Sequence, residues 1–236
     1  LFKRESMRFL KQNKDKPFFL YLPFNAPHGA SNLDPAIRTG AQAPEKFKSL
    51  YPELQAQVAT EKKPRKRYGD KLYTVPNKPA RRLEFVGSVT AMDAAIGEVL
   101  DFLDDNDLAK NTIVIFFSDN GGGGAADNSP LRGAKGQMFE GGIRVPCIVR
   151  WPGKVPAGAT SDEFLTSLEI FPTLCASTGA KPPGGVPLDG FDMLPVLQGK
   201  TKSPRKEMFW QRRLDKGAQV GHWKWVESAR GNGLFD

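Results

Sequence analysis

Long apolar runs are missing from these 236 residues. None approaches the roughly 18 residues that would mark a membrane span, so no part of the sequence is expected to cross a bilayer. Cysteine is scarce: Cys147 and Cys175 are the only two, and they form neither a disulfide framework nor a metal-type spacing. Both are expected to be buried free thiols acting as small hydrophobes, which says little about compartment. There is no internal repeat and no low-complexity tract. The sequence opens at Leu1 without a signal-like segment, and its first residues already read as a helix. It is therefore expected to begin within a longer protein, with targeting information out of view.

What is present describes a globular chain. Hydrophobic residues make up 39%, and 24 glycines and 16 phenylalanines come with them, which excludes a disordered composition. The length suits one large α/β domain, or one domain with a small appendage. Net charge is +8 and unevenly placed. Between Glu61 and Arg82 nine basic residues face only Glu61 and Asp70, a local surplus of seven. Such a cluster reads either as a solvated loop or as a surface that attracts polyanions. Nucleic-acid binding is a weaker reading, because apart from Tyr68 and Tyr73 no aromatics are interleaved and no recognised module frames the cluster.

Taken in order, residues 1–13 carry Phe2, Phe9 and Leu10 between charges and predict an amphipathic helix, stopped by Pro17. Residues 18–22, FFLYL, read as a strand, followed by the turn-rich PFNAPHG, which carries His28. Residues 30–80 form a long excursion rich in proline and charge, in which Pro44 could open a short helix. Residues 83–104 show the clearest helical stripe: Phe85, Val89, Met92, Ile96, Val99 and Leu103. Strand, excursion, helix and strand then suggest a βαβ unit with a parallel connection. Residues 145–151 predict another strand, and 165–177 a helix despite Pro172. After Gly199, the segments 207–211 and 222–226 read as short antiparallel strands.

The rest of the chain reads as organised around residues 112–146, TIVIFFSDNGGGGAADNSPLRGAKGQMFEGGIRVP. An apolar run suited to a strand buried on both faces ends abruptly at Ser118-Asp119-Asn120. Asp119 offers a carboxylate and Asn120 a side-chain carbonyl, hard oxygen donors that suit calcium or magnesium rather than zinc. Two donors do not complete such a shell, and Asp-Asn-Gly is also an ordinary turn sequence. Residues 121–124 are four glycines, expected where the backbone must turn sharply or approach something closely. Lys135 adds a cation between glycines. His28, Asp119 and Lys135 could converge on one sheet edge as an anion-handling metal site.

The segments PFFLYLPFNAPH, FVGSVTAMDAAIGEVLDFLDD, NTIVIFFSDNGG, LRGAKGQMFEGGIRVP and VRWPG, in this order, resemble the sulfatase family. These are formylglycine-dependent enzymes of the alkaline phosphatase-like superfold. The resemblance runs from about Pro17 to the end and implies an α/β fold, with a mostly parallel sheet flanked by helices. It implies the carboxyl-side half of a catalytic domain over residues 1–200, and the start of a small antiparallel subdomain over 201–236. By the same resemblance Asp119 and Asn120 ligate one calcium ion, whose remaining ligands come from a preceding part of the protein. Lys135 binds the sulfate and assists the leaving oxygen, while His28 contacts the sulfate and donates a proton to that oxygen.

The sequence departs from the family pattern at the nucleophile. Sulfatases convert a cysteine or serine in Cys/Ser-x-Pro/Ala-x-Arg to formylglycine, but Cys147 is followed by Ile-Val-Arg-Trp and Cys175 by Ala-Ser-Thr-Gly. The expectation is therefore a sulfuric ester hydrolase only in the intact protein, acting on a small or polymeric sulfated substrate, with a sulfated glycan as one candidate. The 236 residues alone are expected to be inactive. The alternatives are a phosphodiesterase or phosphonate hydrolase of the same superfold, and a non-catalytic fragment or pseudoenzyme. No specific nucleic acid is expected as partner, and the resemblance favours a periplasmic or extracellular location.

Overall fold

Helix α1 (Phe2–Asn13) opens the computed structural model, which describes residues 1–29, 40–68 and 71–236. Its inward side buries Leu10 and Ser6, and Phe9 meets Phe18 edge-on at 6.0 Å. The FFLYL run that follows is extended but joins no strand among the described residues. Phe18, Leu20 and Leu22 are half-buried, whereas Phe19 and Tyr21 are each 71% exposed. The expected strand is thus corrected to an unpaired extended segment: one side packs, and no neighbouring strand satisfies its backbone.

Residues 30–39, where the expected excursion begins, lie outside the described residues, as do Gly69 and Asp70. The remainder of the excursion is more ordered than its composition suggests. It forms α2 (Glu45–Lys48), α3 (Pro52–Thr60) and an antiparallel ribbon of β1 (Arg65–Tyr68) and β2 (Lys71–Thr74). Helix α4 (Lys78–Asp105) starts five residues earlier than its apolar stripe predicts. Asn77 caps it by accepting from the Ala80 N–H at 2.9 Å, and Pro79 occupies the first turn, where its missing donor costs nothing. Polar contacts fasten α2 and α3 to α4: Glu84 accepts from Ala43 N–H at 2.7 Å and from Lys48 at 3.0 Å, and Tyr51 meets Thr90 at 2.6 Å. These elements make up one compact unit, Leu1–Ala109 with Gly123–Asp127.

The second unit, Lys110–Gly122 with Asn128–Asp236, is built on β3 (Val114–Phe117), the short helix α5 (Glu140–Ile143) and β4 (Cys147–Arg150). β3 and β4 pair antiparallel, Phe117 opposite Cys147, and among the described residues β3 has no parallel partner. The chain reverses through residues 118–146 without a crossover helix of the kind a parallel return needs. Among the described residues this sheet has two strands, and its uncovered side leaves Ile148 63% exposed. Two expectations fail for that reason: β3 is not buried on both faces, and Cys147 is exposed while only Cys175 is buried.

Beyond β4, a 3-10 turn at Ser167–Glu169 leads into α6 (Ile170–Thr178). Pro172 is tolerated because it lies in the first turn, and Gly179, with φ of 75°, closes the helix in the left-handed conformation. Glu169, fully buried, pairs with the Arg205 guanidinium, and its carboxylate also accepts from the Thr166 hydroxyl at 2.8 Å. After α7 (Leu194–Leu197) comes the expected carboxyl-terminal sheet. It has four antiparallel strands in sequential order, β5 (Glu207–Arg212), β6 (Asp215–Val220), β7 (Trp223–Glu227) and β8 (Gly233–Phe235). Val226, with no exposed surface, joins Met138 and Phe139 in the core beneath that sheet, and Trp210 and Phe235 pack around them.

Candidate active site

Asp119 and Asn120 leave the end of β3 where Ser118 N–H reaches Pro146 O at 3.4 Å. The next residue fixes them. Gly121 donates its N–H to Gly142 O at 2.9 Å and lies so close to the opposing backbone that a Cβ there would sit 2.0 Å from Gly141 O. Only glycine fits. Lys135 N–H donates to Gly122 O at 3.0 Å, so the backbone carrying the lysine is tied to the segment carrying Asp119 and Asn120. Three of the four expected site residues thus share one hydrogen-bonded framework in the second unit. His28 belongs to the first unit.

Asn128 completes that framework and was not singled out by sequence. Its side-chain oxygen accepts from Gly122 N–H at 3.0 Å, and its amide nitrogen donates to Gly122 O at 2.8 Å and Gly133 O at 3.2 Å. One amide thereby pairs with both the N–H and the C=O of Gly122, which no regular ladder serves. The only hint in the sequence was an amide residue among turn formers. Gly141 N–H donates to Arg132 O at 2.7 Å, and the Arg132 guanidinium lies over Phe139, 4.2 Å from the ring centroid. Replacing Gly121 by alanine is expected to cost at least about 1–3 kcal/mol through overpacking. Denaturant melts of the purified variant check this, and unchanged stability would show that the loop can move aside.

The carboxyl-terminal sheet supports the loop from below. Gly217 abuts Met138, and Lys224 reaches from β7 to Glu140 at 3.2 Å while lying over Trp210, 3.9 Å from the centroid. Burial pulls the Lys224 ammonium below the ordinary lysine range, with Glu140 acting in the opposite sense. Between the lowered folded pKa and the unfolded value, the native state holds fewer protons than the unfolded one. The burial penalty is therefore fully present below the folded value, and stability from this group rises with pH toward about 10.4. Against Lys224→Met, the wild type should gain relative unfolding free energy as pH rises from below the lowered folded value toward the ordinary lysine range. A pH-independent difference would contradict this.

Three of the four expected site residues are exposed. Asp119 and Lys135 are exposed and Asn120 is half-buried. His28 is also exposed, and its Nδ1 lies 2.7 Å from Gly29 O. A carbonyl can only accept, so Nδ1 carries the proton in that contact and Nε2 is the nitrogen left for a ligand. Among the described residues no group of three or more His, Cys, Asp or Glu side chains could hold a metal ion. The Asp119 and Asn120 oxygens fit part of a hard-cation shell.

The architecture is that of the alkaline phosphatase-like hydrolases. A solved structure, Ps i-CgsB in complex with k-i-k-neocarrahexaose, superposes with a TM-score of 0.76 at 30% identity, over 99% of this chain and 47% of that one. The sulfatase family model matches residues 1–180, and the chain belongs to the sulfatase family, whose characterised relatives are hydrolases. Human arylsulfatase A is 34% identical over 212 residues, covering 84% of this chain and 32% of the relative. Steryl-sulfatase of Mus musculus is 32% identical over 216 residues, 87% of this chain and 28% of the relative. The chain thus spans about a third of the length of these curated relatives.

Proposed function

We propose that the protein containing these residues hydrolyses a sulfate ester, with Asp119 and Asn120 as calcium ligands, Lys135 gripping the sulfate, and His28 donating a proton to the leaving oxygen. When bound, calcium supplies a concentrated positive charge for the sulfate oxygens. The observation that carries this reading is the backbone link from Lys135 to Gly122, which keeps the lysine on the same framework as the Asp119-Asn120 pair.

The chemistry follows from where charge develops. As the ester bond breaks, negative charge grows on the leaving oxygen, so a fixed ammonium there stabilises the transition state more than the bound ester. Lys135 is suited to this because its side chain is exposed while its own N–H is held in the loop. The hydrogen bond from His28 Nδ1 to Gly29 O orients the imidazole. Once protonated, the ring presents the Nε2 proton, which can pass to the departing oxygen as the ester bond breaks. The nucleophile, a formylglycine, and the remaining calcium ligands are assigned to parts of the protein outside these 236 residues. Residues 1–200 are then the carboxyl-side half of the catalytic domain, and 201–236 begin the subdomain that supports the Lys135 loop.

The substrate class is a sulfated organic ester, with a sulfated glycan favoured by the k-i-k-neocarrahexaose named in the Ps i-CgsB complex. No helix of the described residues is long and apolar enough to cross a membrane, and a periplasmic or extracellular setting suits such a substrate. The test is a comparison of an aryl sulfate with an aryl phosphate diester on the intact protein. Preference for the sulfate by at least about tenfold in kcat/KM, about 1.4 kcal/mol, is expected. Preference for the diester would assign the site to phosphoryl chemistry.

A further inference from the structure

The ribbon β1–β2 is not used by the proposed chemistry, and it carries the densest positive charge in the chain. Lys62, Lys63, Arg65, Lys66 and Arg67 are all exposed, and among the described residues none is in an ion pair. Lys78 and Arg81, at the start of α4, are exposed and unpaired in the same sense. Some cations elsewhere do meet a carboxylate, as Lys3, Lys48, Lys202, Arg205 and Lys224 show, but none of these lies in a comparable run of neighbouring cations. A cluster of like charges without partners repels itself, so its cost is offset only by solvent or by an anionic partner.

The ribbon is also a built element. Its base is closed by the Val75 N–H donating to Pro64 O at 2.9 Å. The buried Asn77 side chain donates to Val58 O at 3.3 Å and Glu61 O at 3.0 Å while capping α4. Antiparallel pairing, with Arg65 opposite Thr74, holds the strand extended, so Arg65 and Arg67 fall on one face and Lys66 on the other. Residues two apart on one face are spaced by roughly 6.6 Å. Charges at that interval on a fixed strand suit a linear polyanion better than a single small anion.

We infer that the ribbon is a docking surface for a sulfated polysaccharide, distinct in its residues from those proposed for ester cleavage. The assignment to a sulfated polymer rather than another polyanion rests on the proposed function; the surface itself rests on the charge and the pairing. Polymer held on it would raise the local concentration of ester groups, an effect that salt screens away.

The test is a fluorescence-anisotropy titration of labelled dextran sulfate, with uncharged dextran and duplex DNA in parallel, across several salt concentrations. The wild-type protein should bind dextran sulfate with a binding constant whose logarithm falls linearly as log salt rises. The variant K63Q/R65Q/K66Q/R67Q should bind at least about tenfold more weakly and lose about three to four units of that slope. The control K11Q/K181Q/K200Q/R230Q removes the same charge from elsewhere and should bind nearly as the wild type does. In the wild type, bound dextran sulfate should also protect residues 62–67 from trypsin, a readout that does not depend on a variant folding.

Equal weakening by both variants, absence of salt-dependent binding, or tighter binding of DNA would each overturn the inference. Turnover of a small aryl sulfate by the intact protein should be unchanged in the ribbon variant. Loss of polymer binding with that turnover retained supports the ribbon. Polymer binding that depends on the ribbon, in a protein that cleaves no sulfate ester, would overturn the proposed function and leave the surface standing.

Discussion

Replacing Lys135 by alanine in the intact protein is expected to lower kcat/KM for an aryl sulfate by about 10²–10³ while leaving the melting temperature unchanged. The magnitude is that of losing one fixed charge or donor aimed at a developing anion. The separation of activity from stability follows from the structure: the loop is held by the Lys135 backbone N–H, which alanine keeps, whereas the side chain is exposed. Much of the loss should appear in kcat, because charge on the leaving oxygen appears only as the bond breaks. Activity within about threefold of wild type, roughly 0.65 kcal/mol, would remove Lys135 from the chemistry.

The largest stability effect is expected at Glu169. Its carboxylate has no exposed surface and is held by Arg205 and by the Thr166 backbone and hydroxyl. Arg205 also donates to Asp189 O at 3.0 Å, so the pair ties the start of α6 to the approach of β5. Glu169→Ala strands a nearly buried guanidinium and should cost about 3–5 kcal/mol, lowering the melting temperature by about 6–20 °C for a chain of this size. The double variant Glu169→Ala/Arg205→Met should recover part of the loss, since it leaves no unpaired charge. A single-variant cost below about 1 kcal/mol would mean that the pair behaves like a surface ion pair.

Elements with strong local periodicity were legible in the sequence. α1, α4 and the strands β5 and β7 lie within a few residues of where apolar spacing put them, and the earlier start of α4 is explained by the Asn77 cap. The ribbon β1–β2 was not foreseen, because alternating basic residues carry no apolar signal that marks a buried face. The antiparallel partner of β3 and the exposure of Cys147 were equally hidden, since sequence spacing does not say which strand lies alongside. At the site, residue types and adjacent glycines pointed to Asp119, Asn120 and Lys135. Asn128, and the Glu169–Arg205 and Glu140–Lys224 pairs, join residues that are unremarkable in sequence, and only the folded chain brings each to its partner.

The central claim is that the end of β3 and the Lys135 loop form a calcium-assisted sulfate-ester site in the intact protein. Its most direct test is aryl sulfate turnover by wild type and Asp119→Ala, each stripped with chelator and then titrated with calcium. Wild-type turnover should vanish on stripping and return with one calcium per chain, while Asp119→Ala should stay at least about 10²-fold slower, about 2.7 kcal/mol, at any calcium concentration short of precipitation. Full turnover by stripped wild-type protein, or by Asp119→Ala, would contradict the account.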